Sequence, residues 1–279
     1  MNINTIIKNA FLEDIQDGDH TSLATIPHNA IGEAVLIAKE EGIIAGITVA
    51  EKVFEICDSE IIFTPLAKDG DKIKIGDEIF TVQGKSISIL SAERLALNFM
   101  QRMSGIATAT HKIVKLVEGT KTKILDTRKT TPNLRILEKE AVRLGGGKNH
   151  RMGLYDMIMI KDNHVDFAGG IEKAIEACHK YLKEKSKDLK IEIEIRDFEE
   201  LQQVLNYGGV NRIMLDNFTP DDMRNALKKI NGKYETEASG GITIDNIRAY
   251  AKTGVDFISV GALTHHIKSL DLSLKALKE

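Results

Sequence analysis

After Gly119 the chain falls into a repeat that leaves few choices of fold. Short apolar runs at Lys123–Thr127, Met157–Ile160, Lys190–Ile195, Arg212–Leu215, Tyr234–Ala238 and Phe257–Val260 alternate with helical stretches at 133–144, 168–185, 197–207, 220–231 and 243–253. Parallel strands need crossover connections, and the crossover helices then cover the sheet. Strands that read as apolar throughout fit such a sheet, covered on both faces. Six units of this kind predict a β/α barrel. Closure normally takes seven or eight, so the barrel is read as incomplete or as borrowing an element.

The first hundred residues follow another pattern. Asn4–Asp14 reads as a helix, 33–40 and 43–48 as strands, and Ala50–Cys57 as a helix. The segment 61–84 shows short strands separated by Asp-Gly and Gly-Asp turns, as in antiparallel sheet. From Ser91, read as an N-cap, the apolar spacing is helical, and Gly105 is read as dividing this stretch into two helices. With 279 residues, 42% hydrophobic and 28% charged, the chain can build a sizeable core. A net charge of −3 gives nucleic-acid binding no electrostatic support. The two cysteines, Cys57 and Cys178, have no CxxC spacing, which excludes a disulfide scaffold and a zinc ribbon, and both read as packing residues. No signal peptide or membrane span is readable, so a cytoplasmic location without membrane partners is expected.

Polar residues collect where the strands end: Asp126-Thr127-Arg128-Lys129, Lys161-Asp162-Asn163-His164, Glu192 and Glu194, Asp216-Asn217, Ser239-Gly240-Gly241 and Gly261-Ala262. Barrel enzymes place their chemistry at that edge. The glycines after the last two strands suit a phosphate, whose oxygens can approach backbone N–H groups there, although Ser-Gly-Gly also makes a plain tight turn. Glu194 and Asp216 end adjacent strands and could hold magnesium with a substrate phosphate completing the shell, or could pair with Lys129 or Lys161. Glu192, two residues before Glu194, faces the same way and needs a partner if that face is interior. Arginine is scarce and clustered. Of ten, none precedes residue 94, and six fall between Arg94 and Arg151. Arg128, Lys129, Arg151 and Lys161, with His150, suit a polyanionic substrate held by position and charge. No Ser-His-Asp arrangement, HExxH or GxGxxG is present.

The string DTRKTTPNLRILEKEAVRLGGGKNHRMGLYDMIMIKDNH (126–164) resembles the signature region of the quinolinate phosphoribosyltransferases. ERLALNFMQRMSGIAT (93–108), IEIE (191–194), IMLDNF (213–218), EASGGIT (237–243) and GVDFISVGALTH (254–265) agree with it in order. The resemblance implies an α/β fold with an N-terminal α/β sandwich domain over 1–108. An incomplete, seven-stranded TIM-like β/α barrel follows over 109–265, and a segment at 266–279 packs back on the N-terminal domain. It implies homodimers with shared active sites, in some members assembled into hexamers. The implied reaction converts quinolinate and phosphoribosyl pyrophosphate, with magnesium, to nicotinate mononucleotide, carbon dioxide and pyrophosphate. Carried over by position, Arg128, His150, Arg151 and Lys161 match the quinolinate pocket, and Arg102 matches an arginine given by the neighbouring subunit. Lys129, Lys161, Glu194 and Asp216 match positions around ribose, pyrophosphate and metal. Ser239, Gly240, Gly261 and His265 match the phosphate end. Asn133 stands where the family usually has glycine, and His266 where it often has a small residue. Three other readings are a same-fold transferase acting on another base, a barrel kept only as a scaffold, and a biotinyl-like carrier. The carrier reading rests on KDGDKIKIGDEIFTVQG, which supplies only one half of that motif.

Overall fold

The computed structural model describes residues 2–277, so the last two positions of the expected C-terminal segment lie outside the described residues. Helices α1 (Ile3–Asp14) and α2 (His20–Thr25) lead into β1 (Ile31–Ala38), β2 (Gly42–Ile43), α3 (Ile47–Cys57), β3 (Ile62–Pro65), β4 (Lys72–Ile73), β5 (Glu78–Lys85) and α4 (Ser86–Leu116). Then come β6 (Lys123–Leu125), α5 (Arg135–Leu144), β7 (Ile158–Ile160), α6 (Asp162–Ala168), α7 (Ile171–Glu184), β8 (Ile191–Ile195) and α8 (Phe198–Tyr207). The chain continues through β9 (Arg212–Asp216), α9 (Pro220–Ile230), β10 (Glu235–Ser239), α10 (Ile247–Ala251), β11 (Phe257–Ser259), α11 (Ala262–His265) and β12 (Leu272–Ala276). Two compact units result. One gathers the chain up to His111, Thr130–Gly146 and the residues from Ala262 on; the other holds Lys112–Lys129 and Gly147–Gly261. Where the sequence reading kept 109–265 together, Thr130–Gly146 counts with the first unit.

In the first unit an antiparallel sheet runs β12-β1-β5-β3. The C-terminal strand pairs with β1 in the register Leu36↔Leu274. Phe54 of α3 meets Phe63 and Phe80 of the sheet at ring separations of 6.1 and 6.0 Å, with 4.5 Å between Phe63 and Phe80. Three local expectations need correction. The strand expected over 43–48 stops at Ile43, because Asp69 accepts the N–H groups of Gly46 (2.6 Å) and Ile47 (2.9 Å) and so starts α3 there. Ser91 is no N-cap: α4 begins five residues earlier, and the Ser91 hydroxyl donates to Asp19 at 3.2 Å. Gly105 does not break α4 either. A Cβ at that position would lie 2.3 Å from the Lys268 carbonyl oxygen, so the glycine admits a neighbouring backbone.

The second unit is a parallel sheet in the order β6-β11-β10-β9-β8-β7, the expected α/β architecture. Among the described residues this sheet has six strands where the resemblance implied seven, with one further isolated parallel bridge, Leu125 to Lys148, beside β6. The helix expected over 168–185 is α7, which begins after Gly169-Gly170; a short helix the sequence reading did not expect, α6, precedes it. The strands are not apolar throughout. Register places Met159, Glu192, Arg212, Glu194, Met214, Glu237 and Phe257 on one face, with Asp216 and Ser239 at its end. The alternate positions, among them Ile193, Ile213, Leu215, Ala238 and Ile258, are fully buried on the other. One face therefore supplies the apolar core and the other carries the charged and polar groups.

Helix propensity alone would have Gly105→Ala stabilise the protein by ~1 kcal/mol. The clash with Lys268 reverses the sign, and equilibrium urea unfolding is expected to show a loss of ~1–3 kcal/mol.

Candidate active site

Asp126, fully buried at the end of β6, accepts the His150 N–H at 2.8 Å, while the amide of Lys148 donates to Ile124 and that of Asp126 to Lys148. The Gly-Lys-Asn-His-Arg segment is thereby laid along β6, and His150 and Arg151 come beside Thr127, Arg128 and Lys129. These residues, with Met159 and Lys161 from the end of β7, Met214, Glu237, Ser239 and Ser259, line one cavity of ≈ 380 Å³. Six expected site residues thus meet there: Arg128, Lys129, His150, Arg151, Lys161 and Ser239.

Arg151 is half-buried, its guanidinium donating to the Met157 carbonyl (3.2 Å) and contacting the Met159 sulfur (3.5 Å). Burial and the neighbouring Arg128 hold its pKa below the ordinary arginine value. Arg128 is exposed and Arg151 half-buried; the two like charges repel, and an anion placed between them relieves that repulsion. Lys161 Nζ pairs with Glu194 Oε2 at 3.0 Å, the alternative the sequence left open. Asp216 accepts from the Asn217 amide at 2.6 Å, and the Asn217 N–H donates to the Ser239 carbonyl at 2.9 Å, tying the ends of β9 and β10 together. Gly240, at φ +83°, leaves room for that asparagine: a Cβ there would fall 2.9 Å from the Asn217 nitrogen and closer still to its side chain. Gly261 follows β11.

Arg102 and His265 belong to the first unit. Arg102 donates to buried Glu138 (2.7 Å), to the Thr131 hydroxyl (2.9 Å) and to the Thr264 carbonyl (3.0 Å). It lines a separate cavity of ≈ 450 Å³ with Asn133 and Phe99. Asn133 takes the left-handed backbone a glycine would, at φ 66°. His265 stacks edge-on against His266, with ring centroids 4.4 Å apart.

The floor of the cavity, at His150 and Glu237, belongs to a charge cluster the sequence only half disclosed. His150 Nε2 is 3.0 Å from Glu192 Oε2 and 3.3 Å from Glu237 Oε2, and both carboxylates are fully buried. Arg212 reaches Glu237 at 3.0 Å and Glu235 at 3.1 Å, and lies 4.2 Å over the Phe257 ring. Burial raises the Glu192 pKa. Burial also acts to raise Glu237, but His150 and Arg212 outweigh it and hold that carboxyl below its usual range. Burial alone would lower the His150 pKa, and the two carboxylates reverse the shift upward. In the neutral ring the Arg151 N–H donates to Nδ1 at 2.7 Å and leaves the ring proton on Nε2, toward the carboxylates; this contact opposes the second proton that the carboxylates favour. Glu192 thus has the partner its position demanded. Glu237 was missed, although counting back two residues from Ser239 puts it on the same face. Met159, Met214 and Ser259 were missed as well, while Thr127 belongs to the polar group that the sequence placed at the end of β6. Burial pushes the Cys57 thiol up to about 11 and raises that of Cys178, which keeps both protonated near neutrality, in packing roles.

Residues 106–275 match the quinolinate phosphoribosyl transferase C-terminal domain family, and residues 19–104 match its N-terminal domain family. The chain is 45% identical to the chloroplastic nicotinate-nucleotide pyrophosphorylase [carboxylating] of Arabidopsis thaliana, over 98% of this chain and 82% of that protein. It is 44% identical to the probable nicotinate-nucleotide pyrophosphorylase [carboxylating] of Bacillus subtilis, over 98% and 93%. The solved nicotinate-nucleotide pyrophosphorylase of Francisella tularensis superposes with a TM-score of 0.92 at 42% identity, covering 99% of this chain and 96% of that one. Among the described residues no helix is long and apolar enough to cross a membrane.

Gly240→Ala introduces both a clash with Asn217 and a left-handed alanine. It is expected to lower stability by at least ~1 kcal/mol in thermal unfolding, where an exposed loop substitution would cost about nothing.

Proposed function

The chain belongs to the quinolinate phosphoribosyltransferase family, and on that footing we propose how its own residues carry out the reaction. The activity is that of a carboxylating nicotinate-nucleotide diphosphorylase, a pentosyltransferase of NAD biosynthesis. Phosphoribosyl pyrophosphate and quinolinate give nicotinate mononucleotide, carbon dioxide and pyrophosphate. The observation that carries the assignment to this cavity is the pairing of Arg128 and Arg151 beside Lys129 and Lys161 in one pocket. Quinolinate is a planar dicarboxylate, and guanidinium forks clamp carboxylates through paired hydrogen bonds. The methionines Met159 and Met214 offer the ring an apolar surface.

The physical steps follow from charge. As pyrophosphate leaves, the ribose acquires oxocarbenium character, which the Glu194 carboxylate can offset while Lys129 and Lys161 stabilise the departing anion. Attack by the pyridine nitrogen makes a pyridinium. Its positive charge stabilises the carbanion left at C2 when that carboxylate departs as carbon dioxide, and C2 then takes up a proton. Glu194 and Asp216 fit magnesium: both are oxygen donors, at the ends of the adjacent strands β8 and β9. These two carboxylates would hold the ion, which would supply Lewis-acid stabilisation of the pyrophosphate. The loops after β10 and β11, with Ser239, Gly240 and Gly261, are assigned the phosphate end; His265 is proposed for it from the family resemblance alone. A homodimer in which Arg102 serves the partner's cavity is supported by Arg102 keeping a partly exposed guanidinium braced by Glu138, Thr131 and Thr264. Two free cysteines fit a reducing, cytoplasmic setting.

Carbon dioxide release from carboxyl-labelled quinolinate is expected only with phosphoribosyl pyrophosphate and magnesium both present; release that does not need the sugar would overturn the reading. Arg151→Ala should raise the KM for quinolinate ~10-fold or more with little change for phosphoribosyl pyrophosphate, and equal losses would count against the pocket assignment. Mixed dimers of Arg102→Ala and Lys161→Ala chains are expected to regain activity, because some sites then carry neither lesion. No recovery in demonstrated heterodimers would refute the sharing.

A further inference from the structure

A fully buried carboxylate in the middle of a strand is a costly residue, and an apolar side chain of similar size would often serve stability as well or better. Glu237 is such a residue. It is held from one side by Arg212 Nη1 at 3.0 Å and faces His150 Nε2 at 3.3 Å on the other. The opposite ring nitrogen of His150 receives the Arg151 backbone N–H at 2.7 Å, and the His150 N–H is anchored on Asp126 at 2.8 Å. A continuous line of contacts therefore runs from Arg212 through Glu237 and the imidazole to the Arg151 backbone. It ends at a guanidinium that donates to the Met157 carbonyl at 3.2 Å.

We infer that Glu237 is a positioning residue for the quinolinate pocket: it fixes the His150 ring from beneath and, through it, the backbone of Arg151, so that the guanidinium meets the substrate carboxylate already oriented. The inference rests on the cavity being the quinolinate site. It differs from a purely structural role in what it affects. A carboxylate needed only for folding governs how much protein is native, and the native fraction then binds normally. A carboxylate that aims Arg151 governs affinity for the dicarboxylate, while the sugar end of the site, at Ser239 and the glycines after it, is left as it was. Arg212 and Glu192 support the same ring; Glu192 is nearer to His150, at 3.0 Å, but 3.8 Å from Arg212, so Glu237 is the closer link between Arg212 and the imidazole.

Steady-state kinetics on Glu237→Ala and Glu237→Gln, alone and combined with Arg151→Ala, test this in the full-length protein. Glu237→Ala is expected to raise the KM for quinolinate about 10-fold, with the KM for phosphoribosyl pyrophosphate unchanged within about twofold. Glu237→Gln, which keeps the volume and one acceptor oxygen, should raise it about threefold, and it decides the matter if the alanine variant fails to fold. On the Arg151→Ala background either substitution should add less than about a further twofold, because the group being aimed is gone. An unchanged quinolinate KM in folded Glu237→Gln would overturn the inference, as would effects that multiply fully with Arg151→Ala. If the wild type itself releases no carbon dioxide from quinolinate, the function reading falls and takes this inference with it. An active wild type with unaltered variants removes the inference alone.

Discussion

Arg212 makes the polar face of the parallel sheet possible. That face carries Glu192 on β8 and Glu235 and Glu237 on β10, on either side of β9, and the buried pair Glu192 and Glu237 would repel each other if left alone. The Arg212 guanidinium reaches Glu235 and Glu237, rests on Phe257, and leaves His150 to take the remaining side of Glu192 and Glu237. Arginine suits the place because its planar fork can serve two carboxylates while its face lies on an aromatic ring. The cavity above, with Arg128, Lys129, Arg151 and Lys161, stands on this charge-compensated floor.

Rigidity at the strand ends has a common origin. Each functional loop is tied to a neighbour by a short polar contact of its own: Asp126 to the His150 amide, Asn217 to the Ser239 carbonyl, Lys161 to Glu194. None of these ties needs a helix or a long loop. A reaction that depends on orienting two anions and accommodating transient charge gains from groups already in place, since nothing then has to reorganise as charge moves. The absence of an acid–base triad in the sequence is consistent with a reaction of that kind.

Much of this was legible in the chain. The β/α alternation after Gly119 placed all six strands to within two residues at each end, and the strand-end rule identified Arg128, Lys129, Lys161, Glu194, Asp216 and Ser239. What escaped was of three kinds. Glu237 and Met214 sit inside strands, where polar or bulky residues read as part of an apolar run until the period-two register is counted. Ser91 and the segment 43–48 carried good local signals that tertiary partners overruled, Asp69 by starting α3 early and Asp19 by taking the Ser91 hydroxyl. Gly105 reads as a helix breaker by propensity, yet the helix runs through it and its missing side chain makes way for Lys268.

The sequence by itself determined the class of fold, the edge of the sheet that does chemistry, and the ionic character of the ligand, because periodicity, strand-end position and side-chain charge are local properties. Tertiary structure decided which charges act on which. Arg102 and Arg151 look alike in the sequence, but one is braced by Glu138 in the first unit while the other stands beside Arg128 in a shared cavity. His150 acquires its character from Glu192 and Glu237, which lie 42 and 87 residues further along the chain. Electrostatic coupling depends on distance in space and on burial, and neither is fixed until the strands have taken their register.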